Sequence, residues 1–214
     1  MNEEARQHPE ELPENAPKKD EKNGGFELYQ LLRDMVYTLV AVTIVFVFII
    51  RMVSVDGSSM YPTLHHSDYL ALLSSTICGD PEPGDIVVMT VPAEEFQNEP
   101  IVKRVIATEG QTVDIDFNAG VVYVDGVALD EPYTYEPTYV SFQEIGEGLE
   151  YPVTVPEGHI FVLGDNRNGS SDSRYAPIGM VDERDVLGKV LCILLPGADE
   201  DTGKRDWSRI GGVS

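Results

Sequence analysis

The sequence predicts an all-β fold, a partly closed antiparallel barrel-like domain preceded by one N-terminal transmembrane helix. Residues 35–50 carry no charge, which favours a single apolar helix. Beyond residue 54, helical periodicity is hard to find, and short apolar runs alternate with turn signals instead. Asp125 and Gly126, between two such runs, are a strong two-residue hairpin signal. We therefore expect one β-rich domain with an anchor and tails.

The composition is that of a folded protein, with 42% hydrophobic and 24% charged residues. Acidic residues outnumber basic ones by 37 to 15, for a formal charge of −22. A surface of this sign repels nucleic acid backbones, so nucleic acid is not an expected partner. Cys78 and Cys192 are too few for a disulfide framework and too far apart for a metal motif. We expect no metal and no other cofactor, and leave open whether the two cysteines pair.

The chain begins with a polar, proline-containing stretch that lacks apolar periodicity, so residues 1–28 are predicted to be a disordered tail. As a helix, residues 35–50 span about 24 Å, and extension to 31–53 gives about 34 Å. That length crosses a hydrocarbon core of roughly 30 Å, and we predict an anchor over residues 29–53. A cleaved signal peptide is the alternative, but it needs a short basic leader, and this leader is long and rich in Glu.

Basic residues near the two ends of the anchor predict its orientation. Lys18, Lys19, Lys22 and Arg33 lie on the N-terminal side, and Arg51 is the one basic residue close to the other end. Because cytoplasmic flanks carry the excess of Lys and Arg, we expect the tail in the cytoplasm and the domain outside. The protein is therefore predicted to be a single-pass protein of the cell membrane.

The extracytoplasmic domain is expected over residues 54–196 and is predicted to consist of short strands. Residues 130–150 contain Glu, Tyr, Gly and Pro and are predicted to form a long loop or an insertion, and residues 197–214 a C-terminal tail. The candidate strands are 86–91, 101–107, 112–117, 121–124, 127–129, 153–155, 159–163 and 186–195.

A candidate nucleophile lies in residues 56–64, Asp-Gly-Ser-Ser-Met-Tyr-Pro-Thr-Leu. Gly57 permits backbone conformations closed to other residues, and Pro62 restricts the chain just after Ser59. A serine in such a turn can have an exposed hydroxyl beside a free backbone N–H, as an oxyanion site requires. The same pattern is also typical of an ordinary loop.

The serine needs a base, and none of the four histidines lies in a persuasive setting, although spacing alone leaves a Ser-His-Asp triad open. Lysine is the alternative, and burial lowers its pKa toward the neutral form that a base requires. Strand alternation places Lys103 on the same face as Ile101 and Val105, with Arg104 on the other face. An exposed basic pair on an edge strand is the competing interpretation.

A dense polar run, Gly-Asp-Asn-Arg-Asn-Gly-Ser-Ser-Asp-Ser-Arg over residues 164–174, follows the apolar residues 160–163. Surface loops often have this composition. Two arginines interleaved with two aspartates would also form a self-satisfied buried network. Such a network holds its neighbours rigid, as a catalytic lysine requires.

Together these segments resemble the bacterial type I signal peptidase family, in particular its single-anchor Gram-positive enzymes. The resemblance covers roughly residues 30–195 and depends on the order of the segments. They are the anchor, residues 57–64, residues 84–88, residues 103–106 and the Gly-Asp-Asn-Arg-x-x-Ser-x-Asp-Ser-Arg pattern of residues 164–174.

The resemblance implies a Ser–Lys dyad. Ser59 would attack the scissile carbonyl, and neutral Lys103 would remove its proton and then supply one to the leaving amine. Ser170 would orient Lys103 by a hydrogen bond. Asp172 and Arg174 are expected to form an ion pair that supports the polar run of residues 164–174. Asp165 and Arg167 are expected to belong to the same network.

The Ser59 backbone N–H would be one donor of the oxyanion hole. Some family members have a serine two residues before the nucleophile as a second donor, but this chain has Gly57. The second donor is therefore expected from the region of Gly57 or Ser58.

The implied substrates are secreted preproteins with extended, Ala-x-Ala-like cleavage segments. Such segments would dock by strand addition beside residues 53–57 and the strand leading into Lys103. The lipid bilayer and the secretion translocon are the other implied partners.

Two rival functions remain. A self-cleaving repressor-type Ser–Lys peptidase shares the dyad but carries a DNA-binding front end, whereas this chain has an acidic tail and an anchor. A catalytically dead relative could serve as a membrane scaffold, for example in pilus assembly. The presence of Ser59, Lys103 and Ser170 favours an enzyme.

Overall fold

The structure, a computed structural model, describes residues 24–92, 99–143, 146–198 and 202–213. The chain divides into two compact units, Met1–Val42 and Thr43–Ser214. The predicted disordered tail lies outside the described residues up to residue 23. Its predicted end at residue 28 requires correction, because helix α1 begins at Gly24.

Helix α1 runs from Gly24 to Ile44 and continues as one π-helical segment, Val45–Ile49. Large apolar side chains are exposed along it, including Phe26, Leu31, Met35, Leu39, Phe46 and Phe48. Across the ranges given above, no helix combines the length and apolar character needed to cross a membrane. The predicted anchor over residues 29–53 also extends too far, because Ile50 already pairs with Leu73 in a sheet. β-Branched residues suit a half-buried strand as well as a helix, and pairing decides between them.

Eight strands form the larger, antiparallel sheet. They are β1 Ile50–Ser54, β2 Tyr69–Ser74, β3 Ile86–Thr90, β4 Pro100–Thr108, β9 His159–Leu163, β10 Val181–Asp182, β11 Val186–Leu195 and β12 Gly211–Gly212. Their order is β1–β2–β11–β3–β4–β9–β10, with β12 paired to β11. Over the described ranges the sheet does not close into a barrel, because β1 and β10 end this order without pairing to each other.

A smaller sheet contains β5 Thr112–Asp116, β6 Val121–Val124, β7 Val127–Ala128 and β8 Val153–Thr154, in the order β7–β6–β5–β8. The predicted hairpin is confirmed, since Val124 pairs with Val127 across Asp125 and Gly126. Both turn residues have positive φ, 51° and 77°, as a tight two-residue turn of this kind requires. No strand occurs among the described residues between β7 and β8, where a long loop was expected.

The sequence interpretation missed two adjoining strands and misjudged the C-terminus. β1 was assigned to the anchor, and β2 was not recognised because its Leu-Ala-Leu-Leu run does not alternate between buried and exposed positions. Residues 197–214 were expected to be a tail, but a short 3₁₀ helix, Trp207–Arg209, and β12 join this segment to β11. Its two glycines have low strand propensity, so only tertiary pairing produces the strand.

The core consists of three apolar clusters. The first contains Met60 and Leu64 together with residues of β2 and β3, and the third joins the smaller sheet to Phe161 and Leu163 of β9. Cys78, at the end of the short helix α2 (Ser75–Cys78), and Cys192 both have free thiols.

Candidate active site

Ser59 lies in a loop over residues 56–67, which we call the nucleophile loop. The two ends of the loop are joined, because Val55 N–H donates to Asp68 O and Ser67 N–H to Val55 O, both at 2.8 Å. Met60 and Leu64 are buried in the first cluster and hold the loop onto the sheet. Ser59, directly before Met60, is left partly exposed.

Lys103 reaches Ser59 from the middle of β4, where it pairs with Val87 of β3. Its Nζ donates to Ser59 Oγ at 2.8 Å and to the Val102 carbonyl at 2.9 Å. The residue is only 3% exposed, and Arg104 on the opposite face is 2% exposed. The competing interpretation of an exposed basic pair is therefore wrong.

Burial also adjusts the chemistry of Lys103. It lowers the pKa of the ammonium from 10.5 to about 8, because a charge removed from water is disfavoured. The Asp172 and Asp165 carboxylates act against this change and Arg174 adds to it. At pH 7 about a tenth of such lysines are neutral and able to accept a proton.

Ser170 lies close to the nucleophile but does not bond to Lys103. Its Oγ is buried and has no hydrogen-bond partner within the described ranges. Gly164 separates it from the nucleophile loop, since a Cβ there would lie 2.3 Å from Ser170 Oγ and 2.4 Å from Ser59 O. A side chain at this position would displace the Ser59 backbone.

Asp165 is fully buried and pairs with Arg104 rather than with Arg167. Arg104 donates to the two carboxylate oxygens at 2.9 and 2.8 Å. Thr63 of the nucleophile loop donates its hydroxyl to the same carboxylate. Asp165 thus connects β4, the polar run and the nucleophile loop.

Arg167 instead binds Glu131, with distances of 2.8 and 2.6 Å to its two oxygens, and Thr138 at 3.1 Å. It therefore fastens the long loop that follows β7 to the polar run. Tyr133 of the same loop lies under the Arg104 guanidinium, 3.9 Å from ring centroid to Cζ. The acidic composition of residues 130–150 gave no indication of which carboxylate would bind Arg167.

Asp172 and Arg174 form a buried ion pair at 2.8 and 2.9 Å. Asp172 also accepts the Gly164 N–H at 3.0 Å. Burial by itself would raise the pKa of Asp172, but the Arg174 charge and these hydrogen bonds outweigh it and hold the pKa below its usual value. The pair keeps Gly164 in its place beside Ser59.

Asn166 is a site residue that the sequence interpretation missed. Its N–H donates to Ser59 O at 3.0 Å, and its Nδ2 donates to Ser58 O at 3.2 Å. The signal available in the sequence was its position between two residues already selected, Asp165 and Arg167.

The backbone donors near Ser59 differ in availability. Gly57 N–H is occupied by His66 Nδ1 at 3.1 Å, which removes Gly57 as an oxyanion donor in this conformation. The Ser59 N–H has no acceptor in the described part of the chain. Over the same residues, no cluster of three or more His, Cys, Asp or Glu could hold a metal ion.

A serine hydroxyl bonded to a buried lysine amine, beside a backbone N–H with no acceptor among the described residues, has the chemistry that a serine hydrolase needs. Sequence comparison agrees with this class. The model of the signal peptidase family, peptidase S26, matches residues 28–195. The chain belongs to this family and is a serine endopeptidase.

Named relatives are similar over most of their length. The chain is 36% identical to a probable signal peptidase I-1 of Synechocystis over 151 residues, 67% of this chain and 70% of that protein. It is 32% identical to signal peptidase I of Bacillus licheniformis over 173 residues, 79% and 89% of the two chains. A solved signal peptidase I of Enterococcus faecalis V583 has 35% identity and a TM-score of 0.40, covering 51% of this chain and 95% of that one.

Proposed function

We propose that this protein removes signal peptides from secreted preproteins, with Ser59 as nucleophile and Lys103 as general base. The observation that carries the proposal is the 2.8 Å contact between Lys103 Nζ and Ser59 Oγ. Lys103 is buried, so its amine can accept the hydroxyl proton at a pH where an exposed lysine is charged. The similarity to proteins named signal peptidase I supports the substrate class.

The proposed reaction has two halves. Ser59 Oγ attacks the scissile carbonyl while Lys103 takes its proton, and the protonated lysine then donates to the leaving amine. A water activated by Lys103 hydrolyses the resulting ester. The Ser59 N–H stabilises the oxyanion, and the Ser58 region is the proposed second donor. Ser170 is proposed to orient Lys103 once substrate has displaced the Ser59 contact.

The proposed substrate docks as an added strand on strand segments that each have one side without a partner strand in the described part of the chain. Among the residues described, β1 pairs only with β2, so its outer side is an edge of the sheet. Pro100 to Lys103 of β4 pair with β3, whereas pairing with β9 starts at Arg104. Both segments therefore offer backbone hydrogen bonds to an extended peptide with Ala-x-Ala-like residues.

We further propose that the apolar segment before β1 is held in the lipid bilayer. Its support is the set of exposed large apolar side chains along α1 and Val45–Ile49, a surface that water disfavours. The flanking basic residues favour a cytoplasmic N-terminus, an extracytoplasmic peptidase domain and the translocon as neighbour. Flotation with phospholipid vesicles, comparing the full chain with one lacking residues 1–44, tests this proposal, and equal flotation would contradict it.

The decisive assay for the enzymatic proposal incubates the purified protein with a secreted preprotein and follows release of its signal segment. Ser59→Ala and Lys103→Met are expected to abolish cleavage. Lys189→Met is the matched control, because Lys189 also pairs with Val87 but forms an ion pair with Asp85 at 2.7 Å. Cleavage by the Lys103 variant at the control's rate would contradict the role of Lys103 as base, and absence of cleavage by the unsubstituted protein would favour a non-catalytic scaffold.

A further inference from the structure

The nucleophile loop has a second support that the family match does not cover, since that match ends at residue 195. Arg209, in the short 3₁₀ helix before β12, donates to the two oxygens of Asp68 at 2.9 and 2.7 Å. The same guanidinium donates to Thr63 O at 3.2 Å. One side chain from the C-terminal segment therefore binds the loop at two places, next to its C-terminal end at Asp68 and in its second half at Thr63.

The Asp68 carboxylate is the group on which these hydrogen bonds converge. It is 0% exposed, and it also accepts the N–H of His65 at 2.8 Å and of Gly197 at 2.7 Å. Its own carbonyl accepts Val55 N–H, the hydrogen bond that closes the loop. Without Arg209 this buried carboxylate would have no cationic partner among the residues described.

The chain leaving β11 approaches the loop closely. A Cβ on Gly197 would lie 2.1 Å from the His66 carbonyl, so only glycine permits the contact. The C-terminal segment is thus packed against the nucleophile loop as well as ion-paired to it.

Thr63 is bound both by the polar run and by the C-terminal segment. Its hydroxyl binds Asp165 of the polar run, and its carbonyl accepts from Arg209. It is four residues from Ser59 and follows Met60 and Pro62, so a shift of its backbone is transmitted to the nucleophile through a short, packed segment.

We propose that Arg209 is a positioning residue for Ser59 and that the segment from Arg205 to Val213 acts as a strap that fixes the nucleophile loop. The proposal rests on the function proposed above, because positioning matters only if Ser59 reacts. Loss of Arg209 should leave the edges that bind substrate intact and displace Ser59 relative to Lys103. A displacement of about 1 Å can cost up to 10²-fold in rate.

The kinetic test compares Arg209→Met and Arg209→Lys with Arg184→Met in the full chain. Arg184 also pairs with a nearby aspartate, Asp182, but it is exposed and lies outside the nucleophile loop. We expect Arg209→Met to lower kcat at least tenfold with KM within about twofold, and Arg209→Lys to retain part of the activity. A fall limited to KM, or a loss equal to that of Arg184→Met, would overturn the proposal.

Hydrogen exchange tests the strap without requiring catalysis. In a Ser59→Ala background, Arg209→Met should lose amide protection in residues 55–68 while β3, β4 and β9 keep theirs. Unchanged protection in residues 55–68, or equal loss throughout the larger sheet, would overturn the proposal whatever the activity of the protein.

Chemical rescue separates positioning from misfolding. An open cavity of about 300 Å³ borders Arg209, Thr63 and Val213 and gives small solutes access to the site. Guanidinium chloride at non-denaturing concentration should restore part of the kcat of Arg209→Ala, whereas sodium chloride at the same concentration should not. Equal effects of the two salts would contradict the role of the guanidinium.

Discussion

Arg104 binds Asp165 through two hydrogen bonds of 2.9 and 2.8 Å, and both side chains are almost completely buried. Arg104 follows Lys103 on β4, and successive residues of a strand point to opposite faces. One strand therefore presents the lysine to Ser59 on one face and holds the polar run of residues 164–174 on the other. The distance between Lys103 and Ser59 depends on both contacts.

Arg104→Met should destabilise the protein by about 3–5 kcal/mol, because it leaves the Asp165 carboxylate buried without its cation. Urea unfolding at pH 7 measures the change. Adding Asp165→Asn should recover part of the loss, since the unpaired charge is then removed. A single variant as stable as the parent would show that this ion pair does not hold the polar run.

Cleavage should increase with pH through a midpoint near 8, where Lys103 loses its proton. The base works only when neutral, so activity is low below this pH and levels off above it. The measurement is the pH dependence of kcat/KM on a peptide without ionisable groups near the cleavage site. A midpoint near the ordinary lysine value of 10.5 would exclude burial as the cause of activation.

Asp172→Asn should move that midpoint to lower pH. The Asp172 carboxylate raises the pKa of Lys103, and Arg174, which lowers it, would lose its partner. Loss of the Asp172 charge and the unpaired charge of Arg174 both disfavour the Lys103 ammonium and so lower its pKa. Asp182→Asn is the control, because its partner Arg184 is exposed and does not affect Lys103.

Lys103→Met should be inactive yet more stable than the parent at pH 7, by on the order of 3 kcal/mol. Below the folded-state pKa of about 8, the parent carries a buried ammonium that costs stability. Between pH 8 and 10.5 the folded state has already lost the proton and the unfolded chain has not, so parental stability rises with pH and the difference shrinks. Urea unfolding of both proteins at pH 7 and pH 10 tests this, and a constant difference would contradict it.

Gly164→Ala should destabilise the fold by about 1–3 kcal/mol and impair cleavage, because the new methyl group meets both Ser170 Oγ and Ser59 O. Adding Ser170→Gly should not rescue it, since the Ser59 carbonyl belongs to the backbone. Gly25→Ala, with no atom within 4 Å of the new Cβ, is the control for the substitution itself. Full recovery of stability and cleavage by Ser170→Gly would contradict the prediction, because the clash would then involve Ser170 alone.

Local patterns predicted much of this molecule. Apolar runs between turn residues identified β3 to β9 and β11, because strand period and turn chemistry are properties of neighbouring residues. They also selected Ser59 and Lys103, the first by its turn and the second by its place in an apolar strand. The order of motifs then indicated the family, which the comparisons confirm.

The Asp172–Arg174 pair was expected from the family resemblance, but the partners of Asp165 and Arg167 were decided by tertiary structure. The resemblance implied that Asp165 and Arg167 join the network of that pair, and the structure gives them Arg104 and Glu131 as ion-pair partners. Ion pairs depend on which side chains the packed sheets bring within reach, and spacing along the chain does not specify that.

The immediate neighbours of Ser59 and Lys103 made them candidates, and the order of the motifs along the sequence selected them. Their meeting at 2.8 Å, across 44 residues of chain, required the fold. The same holds for the C-terminal strap, which has little strand propensity and no apolar periodicity of its own. Its conformation comes from β11, Asp68 and Thr63, contacts that arise only once the larger sheet has formed.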